Sequence, residues 1–89
     1  YPNPFNPNLD LNLSTYIYTE NNYNYNLDIY DINGRVVKNL YNGKPPIDIL
    51  KKIQWDGTDA NGYQVSSGIY ILRHLSNDIG RSHLISVVK

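Results

Sequence analysis

The chain has 89 residues, eight acidic and eight basic side chains and no cysteine. These numbers allow one small domain without disulfides, and the balanced, scattered charge argues against nucleic-acid binding, which usually needs a basic face. No apolar run approaches the roughly 20 residues that a membrane-spanning helix needs. Nine tyrosines and many asparagines favour strands and turns over helices. The composition therefore predicts a small all-β domain.

The first seven residues, YPNPFNP, contain three prolines. Each proline fixes its own φ and pushes the preceding residue toward extended backbone. Residues 1–8 are therefore predicted to form a stiff, extended lead-in, and residues 9–89 the folded domain. We expect the lead-in, with Pro2, Asn3 and Pro4 near its start, to join the domain to a protein upstream.

Two alternating stretches follow, LDLNLSTYIY and YNYNLDIYDI, and each predicts a half-buried strand. Asn33-Gly34 is a strong hairpin signal because both residues tolerate positive φ, so RVVKNLY would return antiparallel. Tyrosines in these strands could form an exposed strip that stacks on sugars. Tyrosine packs on pleated surfaces in general, however, so a structural role is favoured. The residues concerned are Tyr16, Tyr18, Tyr23, Tyr25 and Tyr30.

The second half of the chain predicts more short strands separated by turns. IDILKKIQW fits either a helical turn or a strand, and a strand over its C-terminal half is favoured. DGTDANG is a turn-rich connector, and YQV is long enough for an edge strand at most. GIYILRHL and RSHLISVVK predict two final strands around the turn SNDIG. About seven short strands of this kind predict an immunoglobulin-like β-sandwich.

Asp56, Asp59 and Asn61 in WDGTDANG invite a calcium interpretation. An EF-hand loop needs oxygen ligands at alternate positions and a terminal Glu, whereas Gly57 occupies a ligand position here. Turn closure by Asx-type hydrogen bonds is therefore favoured over metal binding. Trp55, the single tryptophan, is expected to anchor the core because it buries a large area.

His74 and His83 would face each other across the final hairpin if its turn centred on Asp78-Ile79. Two histidines fall short of the three or four protein ligands of a zinc site, so solvent-facing strand positions are favoured. No serine lies at a spacing that supports a catalytic arrangement, and no glycine-rich phosphate loop is present. The sequence therefore predicts no enzyme, no cofactor, no metal and no small-molecule substrate.

Four motifs occur in order: YPNPFNP, LDIYDINGRVVKNL, WDGTDANGYQVSSGIYIL and a strand ending in VVK. Together they resemble the type A C-terminal sorting domain of the type IX secretion system, and also the immunoglobulin-like part of the flagellar hook-assembly scaffold family. The resemblance implies a non-catalytic targeting domain at the end of a secreted cargo protein. Its implied partners are an outer-membrane translocon, a sortase-like peptidase that removes it, and the upstream cargo. Its implied location is secreted or cell-surface, reached through the periplasm of a Gram-negative bacterium.

The sequence departs from that family in two places: KPPIDILKKIQWDG lacks the usual glycine before the Trp strand, and RSHLISVVK lacks the common Lys pair. A structural immunoglobulin-like module of a surface or flagellar-type assembly is therefore the alternative. A further domain after Lys89 in the full-length gene would exclude the sorting function, since that signal must be terminal. The candidate structural and recognition residues are Pro2, Asn3, Pro4, Asn33, Gly34, Trp55, Asp56, Gly57, Gly68, Tyr70, Val88 and Lys89.

Overall fold

The computed structural model describes residues 13–18, 24–44, 50–76 and 79–89. Every regular element in these ranges is a β-strand, so none of them holds a helix that could cross a membrane. The predicted all-β fold is confirmed, with six strands in the described residues where about seven were expected. They are β1 (Leu13–Tyr18), β2 (Tyr25–Asp31), β3 (Val36–Gly43), β4 (Leu50–Trp55), β5 (Gly68–Ser76) and β6 (Ile79–Val87).

The strands form two antiparallel sheets. One has four strands in the order β3-β2-β5-β6, and the other pairs β1 with β4 from Leu13↔Trp55 to Tyr18↔Leu50. The predicted strand at the C-terminal half of IDILKKIQW is therefore confirmed as β4. The lead-in and residues 9–12 lie outside the described residues.

The core lies between the two sheets. Alternation in β2 sends Tyr25, Leu27 and Ile29 inward, and β4 contributes Ile53 and Trp55 from the facing sheet. Tyr30 lies on the opposite face of β2 from Tyr25, so one exposed strip cannot include both tyrosines. The other buried core residues are Val65, Tyr70, Leu72, Ile85 and Val87.

β3 does not follow simple alternation. Its pairing with β2 shifts register twice, between Leu27 and Asp28 and between Ile29 and Tyr30. Each shift sets two residues of β3 opposite one of β2, as a β-bulge does. As a result Val37, Leu40 and Tyr41 all pack against the core, although they are not spaced two apart.

The final hairpin has a different register from the one considered in the sequence. β5 and β6 pair from Gly68↔Val87 to Ser76↔Ile79, which sets His83 opposite Leu72 and His74 opposite Arg81. The two histidines therefore do not face each other. His83 is exposed as expected, but His74 is half-buried and its ring stacks on Tyr25 at 5.6 Å. Burial, with Arg81 and His83 nearby, lowers the pKa of His74.

Candidate recognition surface

One end of the sandwich gathers most of the residues that the sequence singled out. β2, β4 and β6 end there, and β3 and β5 begin there. The β2–β3 turn (residues 31–35), the β4–β5 loop (residues 56–67) and residues 88–89 therefore share this end, which we call the loop end. Asn33, Gly34, Asp56, Gly57, Val88 and Lys89 lie there, with Gly68 at the first position of β5. Pro2, Asn3 and Pro4 lie outside the described residues.

The β2–β3 turn is closed by Asp31. Its Oδ1 accepts hydrogen bonds from the backbone N–H groups of Asn33 (2.9 Å) and Arg35 (3.0 Å). The Gly34 N–H donates to the Asp31 carbonyl at 3.1 Å, with Gly34 at φ 82°. This is a three-residue loop with glycine in the left-handed position. The Arg35 backbone N–H is the main cause of a lowered Asp31 pKa.

The β4–β5 loop contains the same turn a second time. Asp59 Oδ1 accepts from the N–H groups of Asn61 (2.9 Å) and Tyr63 (3.0 Å), and the Gly62 N–H donates to the Asp59 carbonyl at 3.0 Å. Gly62 has φ 85°, close to that of Gly34. The pentapeptides DINGR and DANGY thus form twin turns with matching hydrogen bonds. The pairing of these two turns was not predicted, although the repeated Asp-x-Asn-Gly is visible in the sequence.

Asp56 closes a third turn and connects it to β3. Its Oδ1 accepts from the backbone N–H of Thr58 (3.1 Å) and from the Thr58 hydroxyl (2.5 Å). The hydroxyl in turn accepts from Lys38 Nζ at 2.7 Å, and Lys38 lies 3.8 Å from Asp56. The Thr58 hydroxyl is the main cause of a lowered Asp56 pKa. Asp56 and Asp59 therefore close turns, as predicted. The described residues hold no group of three His, Cys, Asp or Glu side chains that could bind a metal.

Trp55 and Tyr70 support the loop end from the core. Trp55 is 1% exposed, its Nε1 donates to the Thr58 carbonyl at 2.9 Å, and its ring lies 5.7 Å from that of Tyr70. The predicted core position of Trp55 is confirmed. The Tyr70 hydroxyl donates to the Ser66 carbonyl at 2.8 Å, a bond of the kind found at the tyrosine corner of immunoglobulin-like sandwiches.

Residues 87–89 are attached to the same loop. Val87 pairs with Gly68 and is buried, whereas Val88 is exposed. The backbone N–H of Lys89 donates to Ser67 Oγ at 3.2 Å. Residues 88–89 therefore lie beside the β4–β5 loop and form part of the loop-end surface.

An open groove of about 460 Å³ lies between the twin turns. Its polar groups are backbone, amide, hydroxyl and carboxylate groups, together with the Arg35 guanidinium, whose Nε donates to Asp31 at 3.0 Å. The groove is open to solvent and lies beside the turns that Asp31 and Asp59 close. Its lining residues are Asp31, Arg35, Val36, Val37, Asp59, Ala60, Asn61, Gln64, Val65, Ser66 and Tyr70.

The two antiparallel sheets and the hydrogen bond from Tyr70 to Ser66 define an immunoglobulin-like β-sandwich with a surface of hydrogen-bonded turns at one end. The FlgD Ig-like domain family matches residues 13–74, and the chain belongs to this family. The resemblance to the hook-assembly scaffold that the motifs suggested is thereby confirmed.

Two solved structures from Porphyromonas gingivalis are similar in fold. Dimeric latent PorU matches 99% of this chain at TM-score 0.74 and 23% identity. PorZ, an essential surface component of the type IX secretion system, matches 100% of it at TM-score 0.67 and 21% identity. The chain spans 9% and 11% of those proteins, respectively. A comparison with curated proteins finds no match.

Proposed function

We propose that this domain is a non-catalytic sorting domain, which directs an attached cargo protein across the outer membrane through the type IX secretion system. The main support is the fold that it shares, over its whole length, with part of a surface component of that system. The four ordered motifs add to this support. The partners would be the translocon, a sortase-like peptidase and the cargo, and the destination would be the cell surface or the medium.

The structure suggests what such machinery would recognise. Ile85 and Val87 of β6 are fully buried in the core, so the last strand is needed for the folded state itself. Three hydrogen-bonded turns fix the backbone of the loop end. A translocon that reads a folded domain would find a defined surface there, with residues 88–89 beside it.

The test is export of a reporter protein that carries its own inner-membrane export signal and is fused ahead of residues 1–89. In a host with a type IX system, the intact fusion should reach the surface or the medium. A fusion without residues 83–89 should stay in the periplasm, because it loses most of β6 and exposes the edge of β5. Shortening YPNPFNP should affect later cleavage more than export, because this segment acts as a spacer.

Two controls separate recognition from folding. Trp55→Ala keeps the chain end but removes a core anchor, so it should also fail if the translocon requires a folded domain. Lys44→Ala changes an exposed side chain just after β3, at the opposite end of the sandwich from the loop end, and should be exported like the parent. An intact fusion that stays in the periplasm would exclude the sorting function. Equal export of the fusion lacking residues 83–89 would show that recognition does not require the last strand.

A structural immunoglobulin-like module is the second candidate, and the FlgD Ig-like family match favours it specifically. Such a module would act as a spacer or scaffold in a surface or flagellar-type assembly and would have no translocon partner. It predicts that the fused reporter stays in the periplasm although residues 1–89 are folded, which circular dichroism of the purified fusion would establish.

A further inference from the structure

The outer face of the four-stranded sheet, turned away from the core, carries a row of apolar side chains. Residues paired directly across antiparallel strands point to the same face. The register pairs Val36 with Tyr30, Tyr30 with Ile71, and Ile71 with Leu84, so these four residues cross all four strands in one line. We call them the apolar row.

Much of this row is exposed to solvent. Val36 is 58% and Leu84 66% exposed, and Ile69, two residues before Ile71 on the same face, is 45% exposed. A shallow depression of about 270 Å³ lies at the middle of the row, between Tyr30, Ile71 and Arg73. Covering such a surface is favourable by about 25 cal/mol per Å² of apolar area removed from water. A contiguous exposed apolar patch of this kind is typical of an interaction surface.

The next row along the strands carries two opposite charges. Asp28 on β2 pairs in register with Arg73 on β5, so both lie on the outer face beside the apolar row. The ion pairs of the described residues join Asp31 to Arg35 and Asp56 to Lys38, and neither includes Asp28 or Arg73. Asp28 instead accepts a hydrogen bond from Asn39. The Arg73 guanidinium lies toward Gly80 on β6, on the side away from Asp28.

We propose that a second copy of this chain packs on the outer face, about a two-fold axis that runs parallel to the strands between β2 and β5. Rotation about that axis sets β2 of one copy over β5 of the other, and β3 over β6. The apolar row of one copy then lies over the apolar row of the other. Tyr30 faces the partner's Ile71, and Val36 faces the partner's Leu84. Each Asp28 faces the partner's Arg73, so the interface contains two opposite-charge contacts. The surface is therefore self-complementary in both apolarity and charge, as a two-fold interface requires.

The size of the surface indicates a weak dimer. Strands about 4.8 Å apart and about 3.3 Å per residue give this sheet face roughly 500 Å² per copy. Specific interfaces usually bury about 800 Å² per partner, and those near 1,000 Å² in total are weak or transient. A formal net charge of zero adds no long-range repulsion between copies. Self-association should therefore depend on concentration and remain reversible.

The charges allow a test that separates loss of the interface contacts from loss of the folded structure. Asp28→Arg alone places two arginine pairs face to face, and Arg73→Asp alone places two aspartate pairs face to face. An equimolar mixture of the two variants restores an opposite-charge contact at both places. By sedimentation velocity, we expect each variant alone to weaken self-association about tenfold or more. We expect their mixture to associate nearly as well as the parent chain.

Two further variants test the apolar row. Leu84→Ser should also weaken the dimer, whereas Tyr63→Ser, at an exposed site in the β4–β5 loop, should not. Thermal unfolding by circular dichroism would verify that each variant is folded. A parent chain that stays monomeric at all concentrations would overturn the proposal. So would a mixture of Asp28→Arg and Arg73→Asp that associates no better than either variant, because the charges would then not meet across a two-fold axis.

Discussion

Replacing Trp55 with alanine should cause the largest loss of stability of any single side-chain truncation in the described core. Trp55 is 1% exposed and is the largest of the fully buried side chains. It contacts Tyr70 and donates a hydrogen bond to the Thr58 carbonyl, so it joins β4, β5 and the loop end. Trp55→Ala removes all of these contacts at once.

The magnitude follows from burial and from the lost hydrogen bond. A buried Trp→Ala change costs about 3–5 kcal/mol. The unsatisfied Thr58 carbonyl adds about 1 kcal/mol if water does not reach it. Domains of this size have a total stability of about 5–15 kcal/mol, so the variant loses a large part of it. One kcal/mol shifts the melting temperature of such a domain by about 4–8 °C, so a shift well above 10 °C is expected.

The loss of stability is measured by thermal and urea unfolding, with far-UV circular dichroism as the signal, because the variant has no tryptophan fluorescence. Trp55→Phe is the matched variant: it keeps an aromatic ring and loses the hydrogen bond, so its loss should be clearly smaller. Tyr63→Ser should unfold like the parent because Tyr63 is exposed. If Trp55→Ala unfolds cooperatively within a degree or two of the parent, the core position of Trp55 does not carry the stability assigned to it here.

Three other predictions follow from the loop end and the final hairpin. Gly34→Ala and Gly62→Ala should each cost about 1–2 kcal/mol in urea unfolding, because both glycines have positive φ while nothing lies within 4 Å of an added Cβ. Burial holds the pKa of His74 below its usual 6.5, so the folded state favours the neutral ring. The free energy of unfolding should therefore fall as pH drops through about 6.5 toward the lower folded pKa, and His74→Gln should flatten that slope in pH-dependent melting. Removing divalent metals with a chelator should leave the melting temperature unchanged, because Asp56 and Asp59 already close turns; a fall of several degrees would reveal a bound metal.

The parts of the fold that sequence patterns predict are those governed by local rules. Alternation in YNYNLDIYDI corresponds to β2, with Leu27 and Ile29 inward. Asn33-Gly34 corresponds to the turn that follows it. The Asx-type role of Asp56 was also predictable, because an aspartate two residues before a free backbone N–H is a common turn former.

Other parts depend on pairing between distant residues. Two bulges in β3 bring Val37, Leu40 and Tyr41 toward the core, and no local pattern predicts where a bulge forms. In the final hairpin, the expected register paired His74 with His83, whereas the observed register is shifted by two residues and pairs His74 with Arg81. A shift of two residues keeps every side chain on its own face, so both registers bury Ile85 and Val87 and the pattern of buried residues could not choose between them.

The loop end was only partly predictable for the same reason. Each twin turn is formed by residues that are close in sequence. The groove between them depends on tertiary structure, because β2 and β4 end at the same end of the sandwich and the Ala60 N–H donates to the Val37 carbonyl at 3.0 Å. The outer-face apolar row likewise appears only when four strands are placed in register. Ile71 and Leu84 come from a different part of the sequence than Tyr30 and Val36, and each of the four is an ordinary strand residue.

Under the sorting proposal, the packing of residues 87–89 determines which experiments can separate recognition from folding. Val87 is buried and Lys89 is bonded to Ser67, so any truncation that removes β6 changes the core and the loop end together. Loss of export after such a truncation therefore shows only that an intact domain is needed. Substitutions at exposed positions of the twin turns act differently, because the turn hydrogen bonds come from backbone groups and the two aspartates. Asn61→Arg keeps the backbone N–H that donates a hydrogen bond to Asp59, yet it places a positively charged side chain beside the groove. If that variant melts like the parent but is not exported, the loop end is the surface that the translocon reads.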